Sequence, residues 1–300
     1  MAIAYEKVPF DHGQSFRLLR WSDNVRDVQM CLPGGKVQPL VGAGEQWHFH
    51  PEVELTLVTH GRGRRFVGDH LAAFDAPDLV LIGSNLPHCW SGLQDSSGYA
   101  VQFSIDSQQP LWQLHELSSL NHLLERAQRG LRLSGPMVDQ IADSMQAMPR
   151  ASMVQRLARF VDILAALAAA PPGSFEELST TQFGLGEQDH HLGAISQAVQ
   201  AILKHLHEPI GLDDLLAITH MSKSTFCRQF KRHTGRSFAT FIKEVRINHA
   251  QRLLADTDRP ITQIAMACGY HNLSHFNRQF REQCCATPRE YRRSIGSDRQ

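Results

Sequence analysis

The sequence predicts an α+β multidomain protein, with an antiparallel β-sandwich or barrel first, a helical segment next and an all-α domain last. Three patterns support this order. Short apolar runs alternate with turn residues up to about residue 105, apolar residues recur every three or four positions after Pro110, and an imperfect helical repeat at an offset of 49 or 50 residues fills the rear of the chain. The predicted parts are a β domain at 1–110, a helical segment at 111–170, a linker at 171–193 and an all-α domain at 194–300.

The front part carries the strand signals. Turn residues separate its apolar runs at close and regular spacing, which is typical of antiparallel sheets. The predicted strands are Val53–Thr59, Arg64–Val67, Leu79–Ile82 and Gly98–Ile105, with predicted turns at His60–Gly63, Gly68-Asp69 and Pro77-Asp78.

The helical segment predicts dimerisation. Trp112–Arg129 and Met137–Met148 have helical spacing, and residues 151–170 have the clearest pattern. Within that last stretch a 4-3-4-3 apolar ladder indicates a coiled-coil seam, formed by Met153, Leu157, Phe160, Leu164 and Leu167. We therefore expect a homodimer. The alternative is that the ladder packs against the chain's own β domain.

Charge is distributed unevenly, although 30 basic and 30 acidic side chains balance over the whole chain. Residues 1–193 hold 14 basic and 21 acidic side chains, whereas residues 194–300 hold 16 basic and 9 acidic ones. The rear part is therefore expected to contact a polyanion. No signal peptide and no membrane span of ~20 apolar residues is visible, so we expect no membrane association. The six cysteines show no framework spacing, which favours reduced thiols in a cytoplasm.

Histidine and glutamate residues in the front part form a candidate metal site. His48 and His50 point to one face of a strand because side chains alternate, and Glu54 keeps the same parity. His88 follows further along the chain. Three imidazoles and one carboxylate can hold a divalent ion and leave coordination positions open. The alternative is a set of ordinary polar residues at the mouth of a barrel.

The spacing around these residues resembles the first and second motifs of the cupin family, over roughly residues 40–105. The matching residues are Gly42, His48, His50, Glu54 and Gly61 in the first motif and His88 in the second. The resemblance implies a cupin-like antiparallel β-barrel in which His48, His50, Glu54 and His88 bind Zn, Ni, Fe or Mn. Pro77-Asp78 departs from the pattern, because the family usually has a glycine at that turn.

Other side chains are candidates for binding a small-molecule effector in such a barrel. An apolar pocket with a few polar groups suits a small ligand. The candidates are Trp47, Arg65, Phe66, Trp90 and Gln102, with Phe103 as a further lining residue. The alternative is that the aromatic rings simply fill the core. Sugars and sugar-like acids are the effectors that the cupin resemblance suggests by analogy.

The repeat in the rear part predicts two helix-turn-helix units. The predicted helices are Leu212–Ile218 and Ser222–His233 in the first unit and Ile261–Cys268 and Leu273–Gln283 in the second. Ser222 and Asn272 are the expected N-caps, and Gly269 suits a left-handed turn. Phenylalanines four residues apart bury one face of each second helix, and the opposite face is polar, which suits a DNA major groove.

Three strings in this part, IAMACGY (264–270), SHFNRQF (274–280) and TPREYR (287–292), resemble the signature of the AraC/XylS family of bacterial transcription regulators. The resemblance covers about residues 195–295 and implies double-stranded DNA as the partner. Two positions depart from the pattern. Cys285 stands where the first unit has Gly235 and where the family usually has glycine, and Phe238 stands where the second unit has Pro288.

The predicted DNA contacts lie on the polar faces of the second helices. They are Ser224, Cys227, Arg228, Lys231 and Arg232 in the first unit and Ser274, Asn277, Arg278 and Arg281 in the second. Arg228 and Arg278 occupy equivalent positions, and arginine can bind guanine O6 and N7 bidentately. The predicted phosphate contacts are Lys231, Arg232, Arg281, Arg292 and Arg293. The alternative is a solvated basic face, which suits Arg252, Arg259 and Arg299.

Together these patterns predict a ligand-responsive transcription regulator, an activator by resemblance, with RNA polymerase as a further partner. A small molecule in the barrel would act by favouring one arrangement of the helical segment over another. Two alternatives stay open: a metal-dependent cupin enzyme, such as a dioxygenase or isomerase, fused to a DNA-binding module, and a regulator for which the metal ion is the signal. We expect no enzymatic activity, because no separate general acid or base is identifiable.

Overall fold

The structure is a computed structural model and describes residues 15–22, 28–40, 47–105, 109–183, 190–208 and 210–297. The chain divides into two compact units, the first with residues 3–70 and 74–190 and the second with residues 71–73 and 191–300, and each unit is described by itself. Within the described ranges, no helix combines the length and the apolar character that crossing a membrane requires.

The first unit is built on an antiparallel sheet, as the sequence predicts. Its strands are β1 (Arg17–Trp21), β2 (Gln29–Cys31), β3 (Val37–Pro39), β4 (Val53–Val67), β5 (His70–Asp75), β6 (Asp78–Ile82), β7 (His88–Phe103), β8 (Leu131–Leu133) and β9 (Phe175–Glu177). They lie in the order β3-β2-β1-β7-β4-β6-β8-β9, and β5 pairs with β4. The long central strands β4 and β7 therefore carry the middle of the sheet.

Strand β4 is longer than predicted. Its 15 residues join the two predicted strands, so the turn predicted at His60–Gly63 is wrong. The register against β7 shifts between Val58 and Arg64, which means that bulges absorb the glycine-rich stretch without ending the strand. Gly61 has a φ of +92°, a conformation that glycine adopts without steric cost.

Three helices follow in the first unit, α1 (Asn121–Ala127), α2 (Met137–Ala147) and α3 (Met153–Ala169). The predicted helix at Trp112–Arg129 is mostly 3-10 turns, and only its last third is α-helical. One core joins the helices to alternate residues of the central strands. It includes Leu55, Leu81 and Val101 from the strands and Ile141, Met145 and Phe160 from the helices. The opposite face of those strands carries Glu54 and Gln102, because side chains alternate along a strand.

The predicted linker at 171–193 is wrong over its first half. Strand β9 pairs with β8, and β8 pairs with β6, so the chain after α3 returns to the sheet. Phe175, Leu178 and Phe183 are buried in the first unit. The carboxylate of Asp69 also holds this segment, since it accepts hydrogen bonds from Ser179 Oγ at 2.8 Å and from the Thr180 amide at 2.8 Å.

The apolar ladder predicted as a dimer seam is buried over only part of α3. Phe160, Leu164 and Leu167 are buried in the core of the first unit, whereas Met153 and Leu157 are exposed. On a helix with 3.6 residues per turn the five positions share one side, so the difference in burial runs along the helix: the core covers the last three positions and not the first two. The continuous seam is therefore wrong, and the alternative of packing within the unit is correct for its second half.

The second unit is helical throughout the part that the structure describes. Its helices are α4 (Leu192–Lys204), α5 (Leu212–Thr219), α6 (Lys223–Thr234), α7 (Phe238–Asp256), α8 (Ile261–Ala267), α9 (Leu273–Cys284) and α10 (Pro288–Ser297). Helices α5 and α6 form one pair, and α8 and α9 form an equivalent pair. The long helix α7 connects them and packs against α6, α8, α9 and α10.

Aromatic side chains fill both halves of the second unit in the same way. Phe226 and Phe230 lie 5.3 Å apart between ring centroids, and Phe276 and Phe280 lie 5.7 Å apart. Phe238, which departs from the family pattern, contacts both rings of the first pair at 6.2 and 6.1 Å. The departure therefore adds a core ring to the first half of the unit.

The residues that follow α6 and α9 both have a left-handed backbone, and one of them is Cys285, the second departure from the family pattern. Gly235 follows α6 with a φ of +69°, and Cys285 follows α9 with a φ of +54°. The chain thus keeps the same helix stop in both halves, although only one of them has the residue suited to it. A left-handed conformation costs a non-glycine residue about 1–2 kcal/mol.

Replacing Cys285 by glycine is therefore expected to stabilise the second unit. Relief of the strained backbone outweighs the extra chain entropy of glycine, so Cys285→Gly should raise the free energy of unfolding by about 0.5–1 kcal/mol. Urea unfolding followed by far-UV circular dichroism measures this change. The matched variant Gly235→Ala should lower the same quantity by about 1 kcal/mol. Equal stability of Cys285→Gly and the unchanged protein would contradict the strain at this position.

Candidate functional site

The first candidate site is a buried cluster on the inner face of the first unit's sheet. His48, His50 and His88 each offer a ring nitrogen, and these three atoms lie within 4.8 Å of one another. The Glu54 carboxylate lies 3.2 Å from His50 Nε2 and 3.9 Å from His88 Nε2. The four residues predicted as metal ligands are thus brought together, and all four are buried.

Backbone contacts orient two of the imidazoles. His50 Nδ1 lies 3.1 Å from the Glu52 carbonyl oxygen, and His88 Nδ1 lies 2.8 Å from the Leu86 carbonyl oxygen. Since a carbonyl oxygen only accepts, each Nδ1 carries a proton, and the neutral His88 therefore presents the lone pair of its Nε2 to the cluster. The Nε2 atom of His88 is buried and has no hydrogen-bond partner among the described residues.

A polar network surrounds Glu54, and it includes residues beyond the predicted site residues. Thr56 Oγ1 donates to Glu54 Oε1, and Gln102 Nε2 donates to Glu54 Oε2 at 2.5 Å. Arg17 Nε donates to the Gln102 side-chain oxygen and so fixes the orientation of that amide. Strand parity with Glu54 indicates Thr56, but no local signal links Arg17 to the site, because 85 residues separate it from Gln102.

Burial and mutual contact control the charges in this cluster. Burial alone would raise the pKa of Glu54, but the hydrogen bond with His50 and the nearby imidazoles hold that pKa below its usual range. Burial and the neighbouring His48 place the pKa of His88 well below that of an ordinary histidine. The cluster therefore combines an ionised carboxylate with a neutral imidazole at physiological pH.

The predicted effector residues divide between two faces of the sheet. Trp90 lies beside His88 at a ring distance of 5.8 Å, and Gln102 belongs to the network around Glu54. Phe66 pairs in register with Cys89, which faces away from His88, and its ring contacts Trp47. Trp47 and Phe66 are therefore core residues, and Phe103 packs against Phe160 in the helix-side core.

Arg65 differs from its predicted role. Its guanidinium pairs with the carboxylate of Asp78, and both side chains are buried. The structure thus gives Arg65 a charge partner within the protein, which the sequence analysis did not foresee because 13 residues separate the two.

The second candidate site is formed by the exposed faces of α6 and α9. Every residue predicted to contact DNA from α6 and α9 is exposed except Asn277, which is half-buried, and of the two predicted contacts on α10 Arg293 is exposed and Arg292 is half-buried. Ser222 caps α6 by accepting a hydrogen bond from the Thr225 amide at 3.3 Å, and Asn272 caps α9 by accepting one from the His275 amide at 3.0 Å. Both predicted N-caps therefore have the expected geometry.

The turn before each of these helices uses a left-handed residue. His220 has a φ of +53° before α6, and Gly269 has a φ of +74° before α9. A Cβ atom on Gly269 would lie 2.8 Å from the Leu206 carbonyl oxygen and 2.9 Å from the Arg246 guanidinium. The close approach of Arg246, which also stacks over the Tyr270 ring at 5.9 Å, requires glycine at this turn.

Arg228 and Arg278 are the sixth residues of α6 and α9 respectively. Both side chains are exposed, and neither has a hydrogen bond or an ion pair with another described residue. The two helices therefore present matching arginines to an external partner.

Comparisons with known proteins locate the similarity. Residues 215–294 match the family described as "Helix-turn-helix domain". The transcriptional activator RhaS of Enterobacter sp. (strain 638) is 24% identical over 82% of this chain and 86% of its own length. RhaS of Pectobacterium carotovorum is 27% identical with the same coverage.

Two solved structures match about a third of the chain. The DNA-binding domain of AdpA in complex with a target DNA is 31% identical, covering 35% of this chain and 96% of that domain with a TM-score of 0.35. A probable AraC family transcriptional regulator from Rhodopseudomonas palustris is 33% identical, covering 34% of this chain and 96% of that chain with a TM-score of 0.32.

The family match falls on the region that holds the signature strings and the capped helices, whereas the two RhaS matches extend over most of the chain. The named relatives that match most of the chain are transcription regulators. The chain belongs to the AraC/XylS family of DNA-binding transcription regulators.

Proposed function

We propose that the protein inserts α6 and α9 into successive major grooves and that a small molecule bound in the first unit controls this binding. The observation that carries the proposal is the pair Arg228 and Arg278, which occupy the same position on two capped helices and lack partners among the described residues. In this arrangement the two arginines contact guanine edges, and Lys231, Arg232 and Arg281 contact phosphates.

The first unit is proposed as a cupin-type barrel that senses the effector. Trp90 supports this role, because its buried Nε1 has no hydrogen-bond partner among the described residues and lies on the same strand face as His88. An indole N–H donates only, so it would meet a hydroxyl or carboxylate oxygen. A sugar or sugar-like acid has such oxygens.

The His/Glu cluster fits a divalent metal ion. His88 Nε2 has no hydrogen-bond partner among the described residues, and a Glu54 carboxylate oxygen lies 3.9 Å from it, so a cation between these two electron-rich atoms would contact both. His48, His50, Glu54 and His88 would hold the ion, and Zn, Ni, Fe and Mn all suit imidazole and carboxylate ligands. When bound, the ion would supply a positive charge for effector oxygens.

We propose that this site binds its ligand without converting it. The Glu54 carboxylate accepts hydrogen bonds from Thr56 and Gln102, which favour its ionised form and hold it in place. Such a carboxylate is poorly suited to exchange protons with a substrate. A turnover assay with the metal-loaded protein would separate this proposal from the cupin-enzyme alternative.

The dimer is proposed to form through the exposed face of α3. Met153 and Val154 are 70% and 77% exposed, which is unusual for apolar side chains on a well-formed helix. The face continues along the helix at heptad-like spacing through Leu157, Val161, Ala165 and Ala168. A second copy of α3 would cover it.

The sign of regulation is proposed from the relatives. The RhaS proteins are named transcriptional activators. Activation by this chain would require contact with RNA polymerase in addition to DNA.

Replacing an arginine that contacts a base and replacing a lysine that contacts a phosphate should affect DNA binding differently. Arg278→Ala should cost about 1–3 kcal/mol on the target site and relax the preference at one base pair. Lys231→Ala should weaken binding to target and random DNA alike and lower the slope of log affinity against log salt by about 1. Fluorescence anisotropy over a salt series measures both, with Arg259→Ala as an exposed control outside α6 and α9. Equal losses on target and random DNA for Arg278→Ala would contradict base contact by this residue.

Removal of one histidine should abolish metal binding. Protein purified without chelators should hold about one equivalent of divalent metal by elemental analysis, and His50→Ala should hold none. Metal at 100 times its dissociation constant should stabilise the unchanged first unit by about 2.7 kcal/mol in thermal unfolding. His60→Ala is the matched control, because His60 lies on β4, the strand that carries Glu54, but is exposed. A metal-free protein with unchanged thermal stability and effector response would contradict the metal site.

Charges on the exposed face of α3 should dissociate the dimer. Leu157→Asp combined with Val161→Asp should yield folded monomers in sedimentation, because both side chains are exposed. Leu164→Asp should instead unfold the first unit, since that side chain is buried in its core. A double variant that sediments like the unchanged protein would contradict this interface.

A further inference from the structure

A cavity of about 710 Å³ lies on the other side of the sheet from the His/Glu cluster. Arg20, Lys36, Tyr99, Gln146 and Arg150 are among its lining residues. Tyr99 and Gln102 are three residues apart on β7, so they face opposite sides, and Arg20 pairs in register with Tyr99. The cavity shares no described lining residue with the proposed metal and effector site.

The lining of this cavity is positively charged. Three of its residues, Arg20, Lys36 and Arg150, are basic, and no acidic residue is among those that the structure places in its wall. This charge is unexpected, because residues 1–193 hold 21 acidic and 14 basic side chains. The Tyr99 hydroxyl and the Gln146 amide add hydrogen-bonding groups.

One buried guanidinium holds two walls of the cavity together. Arg156 donates to the Cys31 and Leu32 carbonyl oxygens, at 2.6 and 2.7 Å, on the side that carries Lys36. It also donates to the Met148 and Pro149 carbonyl oxygens, both at 2.9 Å, on the side that carries Arg150. The two basic side chains therefore project from a braced framework.

The loop that brings Lys36 to the cavity has a specific shape. Gly34 and Gly35 have φ values of +76° and +79°, so two consecutive residues adopt the left-handed conformation. This pair of glycines reverses the chain between β2 and β3 and places Lys36 in the cavity wall. The shape of this loop and the Arg156 contacts are thus two separate reasons why the basic side chains meet at the cavity.

We propose that this cavity binds a small organic anion that carries two or more phosphate or carboxylate groups. Arginine binds both groups through paired N–H donors, and lysine adds a point charge. The volume lies within the range of about 300–1,000 Å³ typical of small-molecule sites and exceeds what inorganic phosphate needs. The anion is a second ligand, separate from the effector at the His/Glu cluster.

Calorimetric titration of the full-length protein at low salt tests the proposal, with pyrophosphate and tricarballylate as probes. We expect saturable binding of at least one probe. Tighter binding of pyrophosphate would assign a phosphate ester, and tighter binding of tricarballylate would assign a polycarboxylate. Lys36→Gln combined with Arg150→Gln should weaken the binding at least tenfold. Between two single variants, Arg150→Lys should keep most of the affinity that Arg150→Gln loses.

Two controls test other positions in the first unit. Arg159→Gln removes a positive charge from the same unit but not from the cavity wall, so binding should be unchanged. His50→Ala should also bind the probe normally, which separates this site from the proposed metal site. The proposal is overturned if neither probe binds at millimolar concentration. It is equally overturned if the double variant, folded by circular dichroism, binds as tightly as the unchanged protein, because the anion then lies elsewhere.

Discussion

The carboxylate of Glu54 has to be stabilised in a position that water does not reach, and the inner face of the first unit is arranged around this requirement. An ionised carboxylate costs several kcal/mol to bury without compensation. Thr56, Gln102 and His50 each contact it, and Arg17 in turn holds Gln102. Residues from three strands are thereby fixed relative to one another, so the geometry of the cluster depends on contacts made across the whole sheet.

The opposite face of the same strands packs against the helices and therefore has to be apolar. Leu55 and Leu57 alternate with Glu54 and Thr56 along β4 and enter the core beneath the helices. A shift of the register by one residue would place leucines among the imidazoles and the carboxylate in the core. The two faces therefore fix the register of β4 together, and the bulges beyond Val58 come after the stretch where the register matters most.

Local patterns were sufficient to predict the second unit. The N-caps Ser222 and Asn272, the turn at Gly269 and the spacing of the buried phenylalanines all act over a few residues, and the structure has each of them as expected. Strand parity likewise predicted that His48, His50 and Glu54 would share a face.

The features of the first unit that local patterns do not predict depend on partners that are distant in the sequence. Strands β8 and β9 have three residues each and exist because they pair with the sheet, which no local periodicity reveals. Arg65 looked available for a ligand until the fold placed Asp78 beside it. The ladder on α3 was visible as a pattern, but only the position of the sheet determines which of its residues are buried.

The tryptophans give the first unit an optical signal of its own. All four, at positions 21, 47, 90 and 112, lie in the first unit, so indole emission from the chain originates in the first unit alone. The ring of Trp90 lies 5.8 Å from that of His88. Events at the imidazole cluster therefore occur within quenching distance of a fluorophore.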